Sequence, residues 1–181
     1  MKRALFAVFT AVFLFAGTAK AYTFDMSGLS LFVVNPEEQV TVTYLDMSAG
    51  YRHELSTDSF GSIINTKTDS FGKEVDLGLF TAGSEIIFDL YVFNTDNTFY
   101  SGSSANNPDN FVHAGMQDNA DGTVIMGFED LYNGGDKDYN DVIFKVTNVS
   151  TVSAVPEPST YALMLAGLGL VGFMARRRQQ A

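Results

Sequence analysis

An all-β domain, a sandwich or jelly-roll-like one, is what this chain predicts for its middle. Three observations carry that expectation. Apolar and polar residues alternate with period two over several short runs. Gly, Asn, Asp and Ser clusters separate those runs. No run between the two ends shows the 3.6-residue period of an amphipathic helix.

Gln39 to Tyr44 alternates cleanly, with Val40, Val42 and Tyr44 on one face and Thr41 and Thr43 on the other. Glu85 to Asn94 is apolar on both faces, which predicts a central strand covered on both sides. Thr123 to Phe128 and Val142 to Val149 are two further β-rich runs. Weaker candidates are Leu29 to Val34, Tyr51 to Leu55, Ser62 to Thr66, Val75 to Leu79 and Phe111 to Met116. Many short strands at such spacing fit a sandwich or jelly roll. Asn94 to Gly122 is the longest polar region and reads as a long loop, a place where function often resides.

The ends differ from the body. Met1-Lys2-Arg3, an apolar stretch from Ala4 to Gly17, and Ala19-Lys20-Ala21 follow the order of a signal peptide, with cleavage between Ala21 and Tyr22. Tyr161 to Ala175 has no charged residue and runs into Arg176, Arg177 and Arg178. As a helix these fifteen residues rise only about 22 Å, against a hydrocarbon core of about 30 Å. Flanking Ser159 and Thr160, with snorkelling arginines, narrow that gap. The arginines would hold the C-terminus in the cytoplasm. The expected organisation is a signal peptide at 1–21, a β-domain at 22–149, a linker at 150–154 and a sorting segment at 155–181. Within the last, the short membrane helix is 161–175 and the basic stop 176–178.

Six of the eleven basic residues belong to the two ends. Between Tyr22 and Val155 five basic residues face twenty acids, a net −15, against −10 for the whole chain. Such a surface repels phosphate backbones, which excludes nucleic acid as a partner. It favours cations. The chain has no cysteine, so disulfides, thiol catalysis and thiolate metal sites are excluded.

The densest acidic stretch is Gly127 to Asp141, G-F-E-D-L-Y-N-G-G-D-K-D-Y-N-D, between two predicted strands. Asn133-Gly134-Gly135 supplies the turn. Asp136, Asp138 and Asn140 follow at i, i+2 and i+4, a spacing that can turn three oxygens inward. Glu129, Asp130 and Asp141 add carboxylates from the flanks. Calcium takes six to eight oxygen ligands, so these six residues form a candidate calcium site. It is not an EF-hand, because Asp141 stands where that loop needs glycine and Thr147 where it needs glutamate. The alternative is that Asp and Asn here cap a hairpin by bonding nearby amides.

No catalytic constellation is legible, and the chain reads as a non-enzyme. His53 and His113 are the only histidines, and their spacing suggests no shared site. There is no nucleophile elbow or phosphate loop. Acids are abundant enough that a glycosidase pair would arise by chance. Tryptophan is absent, but Tyr100, Tyr132 and Tyr139 could stack on a sugar. Asn148-Val149-Ser150 fits a glycosylation sequon by coincidence.

Pro156-Glu157-Pro158, the short apolar helix and the terminal arginines together resemble the PEP-CTERM sorting signal. The resemblance implies a Gram-negative cell that makes extracellular polysaccharide and removal of the segment by an exosortase. It also implies a precursor held transiently in the inner membrane, and a product on the outer surface or in the matrix. Signal peptidase and exosortase are then the partners during export, with extracellular polysaccharide a partner afterwards. The two prolines keep the stretch extended and open to such an enzyme. The run G-F-E-D…G-G-D-K-D-Y-N-D resembles a signature of a β-rich domain of unknown function in secreted bacterial proteins, over Asp121 to Val146. The resemblance implies a surface or matrix module with no established reaction. A carbohydrate-active hydrolase using two carboxylates, or a lectin-like module using the Asn94 to Gly122 region, are the alternatives.

Overall fold

The computed structural model describes residues 21–151. The expected signal helix, apolar helix and sorting residues Pro156, Glu157, Pro158, Arg176, Arg177 and Arg178 lie outside them, as does Ala19. Of the expected cleavage residues, Ala21 is exposed and Tyr22 is half-buried, its ring stacked on Phe24.

The described residues form eleven strands and no α-helix: β1 Phe32–Val33, β2 Gln39–Asp46, β3 His53–Thr57, β4 Gly61–Asn65, β5 Glu74–Leu79, β6 Asp89–Val92, β7 Asn97–Tyr100, β8 Ala114–Asp118, β9 Thr123–Phe128, β10 Val142–Thr147 and β11 Val149–Ser150. They make a five-stranded sheet in the order β5-β2-β10-β9-β8, a four-stranded sheet β4-β3-β6-β7, and the pair β1-β11. Every pairing is antiparallel.

Alternation explains which faces are buried. Val40, Val42 and Tyr44 of β2, Val124, Met126 and Phe128 of β9, and Val142, Phe144 and Val146 of β10 all enter one core. Leu55 of β3, Ile63 and Ile64 of β4, Phe88 and Leu90 enter the same core from the four-stranded sheet. Phe88 meets Phe144 edge to face at 5.0 Å between ring centres.

Three sequence expectations change. Glu85 to Asn94 is a strand only over Asp89–Val92. Ile86, Phe88, Leu90 and Val92 are buried, but Ile87 is 41% exposed, so its second face is not covered. Asn94 to Gly122 is not one long loop, because it holds β7, a 3-10 turn at Ser104–Asn106 and β8. Phe99 is the only fully buried residue of β7, too weak a signal among polar neighbours. Val142 to Val149 is two strands, broken at Asn148 where φ is +58°.

That break is held by one side chain. Asn148 Nδ2 donates to the carbonyls of Asn35 and Glu38, both at 2.7 Å, and Oδ1 accepts from Asn35 N at 2.8 Å. A residue so engaged is closed to glycosylation. Replacing it by alanine bares three backbone groups and puts a Cβ residue without local hydrogen bonds at positive φ. Asn148→Ala should therefore cost about 2 kcal/mol, read as a fall in denaturant midpoint without a change in slope.

At the other end of the sequence, Ser150 lies in β11, where the linker was expected to begin. Thr151 is also tied down, by the Asp118 carboxylate.

Candidate functional site: an acidic loop behind β9

Strand β9 ends at Phe128 and β10 begins at Val142, so residues 129–141 close one end of the five-stranded sheet. The loop returns on itself through Asn133, Gly134 and Gly135, at φ of +61°, +72° and +44°. Lys137 and Tyr139 are also left-handed, at +65° and +55°. These two alternate with Asp136, Asp138 and Asn140 and give the segment a curl that an extended strand lacks.

The curl gathers carboxylates. One oxygen each of Glu129, Asp136 and Asp138 lie within 4.8 Å of one another. Glu129 is 1% exposed, while the two aspartates are exposed. Glu129 Oε1 accepts from Tyr139 N at 2.6 Å. A Cβ at Gly135 would stand 2.8 Å from Glu129 Oε2, so only glycine lets the backbone come this close. Burial pushes the Glu129 carboxyl up to about 7. The Tyr139 amide opposes that rise, and the Asp136 and Asp138 charges add to it.

The other three sequence candidates have different places. Asp130 is buried and receives His53 Nε2 at 2.8 Å. Asp141 Oδ2 accepts from Asp130 N at 2.8 Å, and its carboxyl is raised by burial and by Asp130, Glu129 and Asp136. Both line, with Glu129 and Asp136, a cavity of about 340 Å³ that Ser48 and Tyr51 close from the other side. Asn140 Nδ2 donates to Asp138, and its backbone oxygen accepts from Ser48 N at 2.9 Å. Asp136 and Asp138 thus converge as their spacing suggested. Glu129, seven residues upstream of Asp136, is the carboxylate that joins them, and Asn140 stays beside Asp138 through its side-chain amide.

The donor set is oxygen throughout, which suits a hard cation such as calcium. Neither histidine joins it. Both are fully buried, not exposed. His53 spends Nε2 on Asp130, and its Nδ1 has no hydrogen-bond partner. A bare acceptor costs less than a bare N–H, so the tautomer protonated at Nε2 fits best.

Sequence reasoning missed the brace behind the loop. His113 Nδ1 lies 2.9 Å from the Glu129 carbonyl and Nε2 lies 2.9 Å from Asp109 Oδ2, so both ring nitrogens face oxygen acceptors. The ring stacks on Phe99 at 3.8 Å. Asp109 also accepts from Asn133 N at 2.8 Å and from Phe111 N at 3.1 Å. Burial alone would raise the Asp109 carboxyl, but these bonds outweigh it and lower it below the usual carboxylate range. Its contribution to stability is therefore present above the ordinary carboxylate pKa and is lost as pH falls through the depressed value. Asp109→Asn should cost about 1–3 kcal/mol at neutral pH. The gap between variant and wild type should shrink toward pH 3, measured by melting across that range.

Comparison with known proteins follows this geometry. Residues 154–178 match the PEP-CTERM protein-sorting motif. The chain is thus an exported protein that an exosortase processes, held transiently in the membrane beforehand. Residues 60–148 match a domain of unknown function, DUF4114. That match includes the whole acidic loop and reaches well upstream of Asp121. It starts after β2, although β2 sits between β5 and β10 in the sheet, so the folded unit is larger than the match. No curated protein and no solved structure matches the chain.

Proposed function

We propose that the mature protein is a non-enzymatic surface or matrix module, associated with exopolysaccharide and stabilised by calcium in the acidic loop. The observation that carries the calcium reading is the convergence of one oxygen each of Glu129, Asp136 and Asp138 within 4.8 Å of one another, beside a cavity that Glu129, Asp130, Asp136 and Asp141 help to line. Three carboxylates can offer up to six oxygens, the lower end of what calcium requires. Glu129 is the anchor, since it is buried and fixed by Tyr139 N. The two exposed aspartates then close on the ion. Two sheets that share one apolar core suit a sandwich serving as a rigid platform for this loop. Calorimetric titration of the mature chain with calcium tests the reading. Saturable binding that Glu129→Gln weakens at least ten-fold supports it, and the absence of binding heat in the wild type sinks it.

A lectin-like reading has its own support. A second cavity of about 460 Å³ is lined by Phe80, Ile87, Asp89, Tyr100 and Asn106 among others, aromatic residues beside groups that can bond hydroxyls. Two of these residues come from the region the sequence marked for glycan contact. Retention on a glycan array, lost in Tyr100→Ala, is the expected result; an array with no signal removes it.

A further inference from the structure

Strand β8 holds both ends of the folded domain. On the N-terminal side, Thr23 N donates to Gln117 Oε1 at 2.9 Å. Asp25 and Met116 exchange two backbone hydrogen bonds, of 2.8 and 3.0 Å. On the C-terminal side, Asp118 Oδ2 accepts from Thr151 N at 2.8 Å, Thr151 Oγ1 at 2.9 Å and Ser150 Oγ at 3.1 Å. Thr23 and Thr151 line one cavity with Gln117 and Asp118. These bonds outweigh the burial of Asp118 and leave its carboxyl below the usual range.

The strand register says which pole this is. Asp118 pairs with Val124, and Thr123 pairs with Thr147, so β8, β9 and β10 all have these residues at one end. Phe128 pairs with Val142 at the other end, where the acidic loop begins. The six residues of β9 separate the two poles by roughly 20 Å. Met116 to Thr23 runs antiparallel to β8, so the chain preceding Thr23 also departs from the Asp118 pole.

Ten residue steps separate Thr151 from Tyr161, a reach of at most about 35 Å even fully extended. A domain on so short a tether, facing a surface it cannot penetrate, keeps its attached pole nearer to that surface. We propose that the β8 pole, with Asp118 as the clamp on the chain end, is the membrane-facing pole of the exported precursor, and that the acidic loop is presented at the far pole to the medium. The inference rests on the sorting motif for its anchor and on the fold for its direction. It does not depend on whether the loop binds calcium. The near pole carries the exposed acids Asp25, Glu37, Glu38 and Asp121, so it faces anionic headgroups without adhering to them. That leaves the sorting motif open to its processing enzyme.

The absence of cysteine makes the test direct. Uncleaved precursor carrying Glu37→Cys reports the near pole, and Ala49→Cys reports the far one, where Ser48 N bonds the Asn140 carbonyl. Each is labelled with a fluorophore and placed in phosphatidylethanolamine–phosphatidylglycerol vesicles that contain a headgroup quencher. Quenching should be several-fold stronger at Glu37→Cys than at Ala49→Cys. Equal quenching, or the reverse order, overturns the proposal. The pair Glu38→Cys and Asp46→Cys, both exposed where Ala49 is half-buried, repeats the comparison should a first variant fail to fold. Vesicle flotation of the unlabelled precursor tests the anchor separately, so failure of anchoring is distinguishable from failure of orientation.

Discussion

Calcium at a hundred-fold excess over its dissociation constant should stabilise the mature chain by about 2.7 kcal/mol, a rise in melting temperature on the order of 10 °C for a domain of this size. Without a cation the loop is an expensive structure. Three carboxylates within 4.8 Å repel one another. Lys137 and Tyr139 hold left-handed backbone, at roughly 1–2 kcal/mol each. The turn and the Tyr139–Glu129 bond offset part of this, and on the calcium reading a bound ion would offset the rest.

The same reasoning predicts a change of sign. In chelator, Asp136→Asn should melt at or slightly above the wild type, because it removes a repulsive charge, and Asp138→Asn should melt near it, because the relieved repulsion is set against a weakened bond from the Asn140 side chain. In calcium both should melt below it, because each removes a ligand. Magnesium should do less than calcium, since it dehydrates reluctantly and demands near-octahedral geometry. Parallel melts in chelator, calcium and magnesium check all three. If the wild type gains nothing in calcium, or if the aspartate variants keep the full gain, the cation reading fails and the residues are caps of a hairpin.

The legible part of the fold was the part that alternates. Thr123 to Phe128 was read with the bounds of β9, because each inward residue there is large and apolar. The four-residue β7, Asn-Thr-Phe-Tyr, has only Phe99 fully buried. Its strand state depends on pairing with β6, which local pattern does not reveal. Glu85 to Asn94 misled for the opposite reason. Its second face carries Ile87, Tyr91 and Phe93, but Ile87 is left 41% exposed. At the site, the spacing of Asp136 and Asp138 was readable as acids at i and i+2. Glu129 entered only as a flank. Its approach to Asp136 depends on Gly135 passing over it, and on left-handed φ at a lysine and a tyrosine, residue types that do not announce that conformation. The Asp109–His113 brace left a trace, an i, i+4 pair in a polar stretch, without any sign of what it supports.

Gly127→Ala should be the most damaging small substitution in the domain, costing about 3 kcal/mol or more. Gly127 is the penultimate residue of β9, an interior strand of the five-stranded sheet, opposite Gly115 of β8 and Ile143 of β10. A glycine inside a strand marks close approach of another group, and here there are two. A Cβ at Gly127 would overlap the Tyr139 carbonyl oxygen and lie 2.7 Å from Phe24 Cζ. Phe24 can turn aside, but the Tyr139 carbonyl is backbone and can move only with the loop. Tyr139 is fixed twice more, by its N–H to Glu129 and by its hydroxyl to the Val112 carbonyl at 2.8 Å. Lifting it off Gly127 therefore pulls the acidic loop away from its buried anchor. Gly127→Ala should lose calcium response together with stability. Gly115→Ala should lose less of both, because the atom nearest its added Cβ is the Phe24 side chain, at 2.7 Å. Gly50→Ala meets nothing within 4 Å and should stay within about 0.5 kcal/mol of wild type. Denaturant titration of the three variants, with and without calcium, gives the order. A Gly127→Ala chain as stable and as calcium-responsive as Gly50→Ala would mean that the strand does not seat the loop.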